Sequence, residues 1–111
     1  MRNLKYTVGV DVSMKEIVCC LSVINELQDV KVKATHKFLN TKTGFVKLLS
    51  WVQQHTPEQL PINYVMEATG VYHEQIAWFL YSEGKTVSIL LPNKAKSWLK
   101  AIGSKSKNDS I

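Results

Sequence analysis

The spacing of the apolar residues changes along the chain, and this change limits the possible folds more than any other feature. Before residue 40, β-branched and apolar residues form three extended runs, at Lys5–Asp11, Ile17–Ile24 and Val30–Leu39, which predict three consecutive strands. From residue 45 to residue 52, apolar side chains recur at the i, i+3, i+4, i+7 spacing of a helix, which Pro57 ends. The chain therefore begins as a meander of strands and then becomes mixed.

After the first helix, strand and helix patterns alternate. Ile62–Met66 predicts a fourth strand, a helical stripe follows from Tyr72 to a stop at Gly84, and Thr86–Leu91 predicts a fifth strand. Pro92 then opens a last helix. The order βββαβαβα predicts an α/β fold with a mixed sheet and helices on both of its faces.

Length and composition indicate one soluble domain that spans residues 1–111. Apolar residues make up 45% and charged residues 21%, a balance that excludes disordered, collagen-like and membrane classes. No apolar stretch approaches the roughly 20 residues of a membrane-spanning helix, and Asp11 interrupts the start before a signal peptide can develop. Cys19 and Cys20 are adjacent in a strand, where their side chains point to opposite faces, so a bridge between them is not expected. We expect a cytoplasmic protein.

The positive charge is concentrated near the end of the chain. The formal net charge is +5, and residues 92–111, with five lysines and one acid, carry +4 of it. This segment either binds the phosphates of a nucleic acid or forms the solvated face of an amphipathic helix. A second basic stretch, from Lys31 to Lys47, contains no acid and either contacts phosphates or protects an edge strand from aggregation. The candidate nucleic-acid-binding residues are Lys94, Lys96, Lys100, Lys105 and Lys107.

Three acids stand in unusual surroundings. Asp11 interrupts the strand VGVDVS, Glu67 ends the strand INYVME, and Asp109 follows the last basic helix. If the first and fourth strands are parallel neighbours, their ends bring Asp11 and Glu67 together, and a divalent cation would relieve the repulsion between them. Because no His or Cys cluster lies nearby, Mg²⁺ or Mn²⁺ is favoured over zinc. Alternatively, Asp11 accepts hydrogen bonds from hairpin amides and Glu67 is hydrated.

Three segments together, GVDVSMK, EATG and SKSKNDSI, resemble the N-terminal domain of the DEDD transposases of insertion sequences. That family is related to the RuvC Holliday-junction resolvase and to the Piv invertase. The resemblance spans essentially the whole chain and implies a ribonuclease-H-like (RuvC-like) fold. It also implies acids that bind Mg²⁺, with Mn²⁺ as a substitute, and that act on DNA strands during excision and insertion of a mobile element. The matching positions are Asp11, Glu67 and Asp109.

The resemblance also implies features beyond this chain. The family pattern places a fourth acid three residues after the third, one position past Ile111. It further implies a C-terminal domain with a serine nucleophile and a bridge RNA that guides target choice. Separately, we expect the full-length form to be a homo-oligomer. We therefore expect residues 1–111 to be a fragment that binds metal weakly, has little activity alone, and belongs to a DNA-bound protein of the bacterial or archaeal cytoplasm.

Two other interpretations remain open. A non-catalytic module that binds DNA or RNA, or that serves assembly, would use the basic segment from Lys94 to Lys107 without any metal. An ATP-binding relative of actin and the sugar kinases would also begin with a Gly-Asp strand and a hairpin. That class needs a later glycine-rich phosphate loop, which the five glycines of this chain do not form.

Overall fold

The computed structural model describes residues 2–68 and 70–91, and these follow the predicted order from the first strand to the fifth. The predicted last helix, Asp109 and the lysines Lys94, Lys96, Lys100, Lys105 and Lys107 lie outside the described residues. The elements are β1 (Asn3–Val12), β2 (Glu16–Asn25), β3 (Val30–Leu39), α1 (Lys42–His55), β4 (Ile62–Glu67), α2 (Glu74–Ser82) and β5 (Thr86–Leu90).

The five strands form one mixed sheet in the order β3-β2-β1-β4-β5. The β1–β2 and β2–β3 pairs are antiparallel, whereas β4 is parallel to both β1 and β5. Short turns connect the antiparallel strands, and α1 and α2 provide the crossovers that parallel pairing requires. The mixed sheet predicted from the order of the elements is therefore confirmed, with β1 at its centre and β3 and β5 at the edges of the described sheet.

The hydrophobic core lies on one face of this sheet. Alternate residues of β1, from Tyr6 to Val10, are buried there together with Phe45 and Leu48 of α1 and Ile76 of α2. Both described helices therefore cover the same face, although helices on both faces were predicted; the last predicted helix, from Pro92, lies outside the described residues. Cys19 of β2 belongs to this core, and burial raises the pKa of its thiol to about 12, so the thiol stays protonated at neutral pH.

Local hydrogen bonds set the ends of the helices. The Thr41 hydroxyl caps α1 by accepting a hydrogen bond from the Gly44 amide at 3.1 Å. At the end of α2, Gly84 adopts a left-handed φ of +78°. Its amide donates to the Tyr81 carbonyl at 3.0 Å, and the Lys85 amide donates to the Leu80 carbonyl at 2.9 Å. This is the Schellman arrangement, which favours glycine at that position.

We expect Gly44→Ala to destabilise the fold by about 1–3 kcal/mol, because the new Cβ would collide with the Leu39 carbonyl oxygen where α1 passes the end of β3. Urea denaturation followed by circular dichroism measures the change. Ser50→Ala, at an exposed position of the same helix, is the matched control and should leave the stability nearly unchanged. Equal stability of the Gly44 and Ser50 variants would contradict the close approach of α1 to β3.

Candidate active site

The carboxyl ends of β1 and β4 bring Asp11 and Glu67 together. The two strands are parallel and in register from Tyr6 opposite Ile62 to Val10 opposite Met66, so Asp11 and Glu67 occupy the next pair of positions. Neighbouring strands lie about 4.8 Å apart. Val10 and Met66 point into the core, and because side chains alternate along a strand, both acids point to the opposite face.

Neither carboxylate has an ionic or hydrogen-bonding partner among the described residues. Asp11 is exposed and Glu67 is half-buried. Ser13 closes the hairpin after β1: its amide donates to the Glu16 carbonyl at 2.9 Å, and its hydroxyl accepts from the Glu16 amide at 3.3 Å. The hairpin amides are therefore occupied by Ser13 and not by Asp11. Two neighbouring carboxylates with no cationic partner in the described part of the chain form a locally negative site.

The donor atoms at this site, carboxylate oxygens, suit a hard cation. Within residues 2–68 and 70–91, no group of three His, Cys, Asp or Glu side chains is placed to hold a metal ion. Two carboxylates supply part of a ligand shell, and Mg²⁺ characteristically keeps several waters alongside one or two carboxylates. The third predicted acid, Asp109, is outside the described residues. The structure thus brings together two of the three predicted acids.

Asn40 connects the loops that follow the two acids, a role that the sequence analysis did not identify. Its side-chain amide donates to the carbonyl oxygens of Ser13, at 2.8 Å, and Tyr72, at 3.2 Å. Its backbone amide donates to the Lys15 carbonyl at 2.8 Å. Since Ser13 follows Asp11 by two residues and Tyr72 follows Glu67 by five, Asn40 limits how far the ends of β1 and β4 can separate.

Residues 8–111 match the family model of the IS110-type DEDD transposases, described as Transposase. The chain belongs to this family. It is also 29% identical, over 105 residues, to the pilin gene-inverting proteins of Moraxella lacunata and Moraxella bovis. Those alignments cover 95% of this chain and 31% of each relative, so the chain spans about a third of their length.

Solved structures confirm the predicted fold class. RuvC of T. thermophilus, in complex with a Holliday junction substrate, aligns with a TM-score of 0.57 and 9% identity over 90% of this chain and 75% of that one. The Holliday junction resolvase of fowlpox virus aligns with a TM-score of 0.56 and 16% identity over 78% of this chain and 61% of the viral one. The fold is therefore RuvC-like, of the ribonuclease H class. In the described part of the transposase domain, no helix has the length and apolar character to cross a membrane.

We expect Asn40→Ala to cost about 1–3 kcal/mol of folding stability, because it leaves the Ser13 and Tyr72 carbonyls without their donor. The free energy of unfolding from urea titration is the measurement. Asn3→Ala is the matched control, since the Asn3 amide makes only an exposed hydrogen bond, to Glu58, and should cost much less. Equal losses in the two variants would show that Asn40 does not tie the loops together.

Proposed function

We propose that this transposase domain cleaves and transfers DNA strands with Mg²⁺, or Mn²⁺ in its place, held by Asp11, Glu67 and Asp109. The observation that carries the proposal is the in-register placement of Asp11 and Glu67 at the carboxyl ends of two adjacent parallel strands. The family assignment supports it. So do the names of the similar proteins, which refer to pilin gene inversion and to Holliday junctions.

The chain's own contribution to the reaction is to hold carboxylates in fixed places. Asp11 is paired with Val18 of β2 and directly follows Val10, the last residue of β1 that is paired with β4. Glu67 is paired with Leu90 of β5 and directly follows Met66, the last residue of β4 that is paired with β1. When bound, the metal supplies positive charge that stabilises the oxygens of the phosphodiester during its cleavage. A rigid support of this kind favours a site with reproducible geometry.

The proposal also covers the nucleic-acid partners of this domain and the longer protein to which it belongs. Lys94, Lys96, Lys100, Lys105 and Lys107 are proposed to contact phosphates of DNA or of a bridge RNA, in a manner that weakens with salt. Residues 1–111 are proposed to be the N-terminal domain of a longer, homo-oligomeric protein with a serine-containing C-terminal domain. The reaction would take place on cytoplasmic DNA. Membership of the transposase family supports these proposals about partners, domain organisation and location.

Calorimetric titration of Mn²⁺ tests the metal site directly. We expect heat of binding in the parent chain that Asp11→Asn abolishes and Glu67→Gln weakens at least about tenfold, because each variant removes an anionic ligand. A version extended past Ile111 to the next expected acid should bind more tightly. Asp29→Asn, which removes an exposed carboxylate from the turn between β2 and β3, is the control and should bind as the parent does.

The same proteins are then tested for Mn²⁺-dependent nicking of labelled DNA. Nicking by the extended chain that disappears in Asp11→Asn supports the proposed activity. Absence of metal binding in both the parent and the extended chain would contradict the proposal. Nucleic-acid binding that persists unchanged in Glu67→Gln without metal would then favour the non-catalytic module.

A further inference from the structure

We propose that the outer face of α2 binds the same face of a second copy of this chain in antiparallel orientation, an inference that rests on the proposed homo-oligomer and names its contact surface. α2 packs on the sheet through Ile76 and Leu80, which are fully buried. On the side of the helix that points away from the sheet, Trp78 and Tyr81 are 70% and 69% exposed. A helix that is apolar on both sides is typically covered on both sides.

The other described helix has the polar outer face that is usual for a helix in contact with water. α1 buries Phe45 and Leu48 against the sheet and exposes polar side chains such as Lys47, Ser50 and Gln54. The exposed aromatic residues therefore distinguish α2 from α1. Trp and Tyr are also the residues that most often carry the binding energy of protein interfaces.

The two aromatic side chains of α2 are already ordered against each other. The rings of Trp78 and Tyr81 stack, with their centroids 6.0 Å apart and their planes at 30°. This stacking limits the rotamers of both side chains before a partner binds, so that association costs less conformational entropy.

The area of these rings indicates how strong the association should be. A buried Trp or Tyr removes about 150–250 Å² from water, so burial of the exposed parts of four such rings, two from each copy, amounts to roughly 400–700 Å². Stable complexes bury more than about 1,200 Å². We therefore expect a weak dimer, with a Kd between about 10 µM and about 1 mM.

The charges on the outer face of α2 match those of a second, antiparallel copy. Glu74, Trp78 and Tyr81 follow the i, i+4, i+7 spacing of one helix face, and Lys85 comes next, directly after Gly84 ends the helix. Glu74 precedes Trp78 by four residues, and Lys85 follows Tyr81 by four. A twofold axis that sets Trp78 against Tyr81 of the second copy therefore also sets Glu74 against Lys85 of that copy, as a self-complementary interface requires.

Both charged residues are available for such a contact. Glu74 and Lys85 are exposed, and neither forms an ion pair among the described residues. Glu83 follows Glu74 by nine residues, which is two and a half helical turns, and so lies on the other side of the helix. It does not place a like charge opposite Glu74 of the second copy.

This contact would leave the two acids of each copy uncovered. α2 lies on the core face of the sheet, whereas Asp11 and Glu67 point to the opposite face. Association through α2 and metal binding at the acids can therefore be measured independently of each other.

Sedimentation velocity in EDTA, with the chain at concentrations from about 10 µM to about 1 mM, tests the proposal without metal. We expect the parent to shift toward a dimer as its concentration rises. Trp78→Ala/Tyr81→Ala should weaken the association at least about tenfold, because aromatic residues anchor such interfaces. Leu27→Ala/Val46→Ala removes exposed apolar side chains elsewhere; it is the matched control and should change the Kd less than about twofold.

Charge reversal tests the antiparallel orientation. Glu74→Lys alone, or Lys85→Glu alone, should weaken the dimer by about threefold to tenfold, because each places like charges at two symmetry-related contacts. The double variant Glu74→Lys/Lys85→Glu restores opposite charges and should return the Kd to within about twofold of the parent value. Thermal melts verify that each variant is folded.

Several results would overturn the inference. They are a parent that stays monomeric up to about 1 mM, unchanged association in the Trp78/Tyr81 variant, and equal weakening in the Leu27/Val46 control. A double charge variant that is weaker than both single variants would contradict the antiparallel pairing. A monomeric parent that binds single-stranded DNA through Trp78 and Tyr81 would assign this face to stacked bases and overturn the inference as well.

Failure of the proposed function is recognised separately. A dimer that is lost in the Trp78/Tyr81 variant, without any Mn²⁺-dependent nicking by the extended chain, supports the α2 interface and contradicts the metal activity. Nicking by an extended chain whose parent does not associate supports the metal activity and contradicts the α2 interface.

Discussion

The parallel pairing of β1 with β4 is the constraint on which the rest of the structure depends. It requires a long crossover, and β2, β3 and α1 occupy that crossover before the chain returns to the centre of the sheet. The pairing also decides where the acids lie. A slip of one residue in either strand would turn its acid toward the core face, where Val10 and Met66 now pack. The register that buries these two apolar residues is thus the register that brings Asp11 and Glu67 together.

Within the described residues, the main core cluster lies on one face of the sheet, which explains why the β1–β4 pairing can carry a polar site. α1 and α2 cover the face that holds Tyr6, Val8 and Val10. On the opposite face, β1 presents Thr7, Gly9 and Asp11, which are less buried than their neighbours. Carboxylates at the carboxyl end of that face avoid the large desolvation penalty of an apolar interior. Among the described residues Asp11 is exposed and Glu67 is half-buried, so their position costs the fold little.

Local sequence patterns were sufficient to predict the strands and helices, but not all of the contacts between them. The fourth strand, predicted at Ile62–Met66, is Ile62–Glu67 in the structure, because a buried β-branched run is a strong local signal. The helical stripe was predicted from Tyr72, yet α2 begins at Glu74, since Gly70 takes a left-handed φ of +57° and the chain turns before the helix starts. The Asn40 link had no local signal, as its partners lie 27 and 32 residues away.

The separation between Lys37 and Asp11 matters for the cation site that we propose at Asp11 and Glu67. A lysine adjacent to Asp11 would form an ion pair with it and compete with the metal for the carboxylate. The structure instead places Val18 between them across the sheet and gives Lys37 a different anion, Glu16. Asp11 is thereby left without an ion pair among the described residues. Asp11 therefore keeps its negative charge for the proposed cation, because Val18 separates it from Lys37 across the sheet.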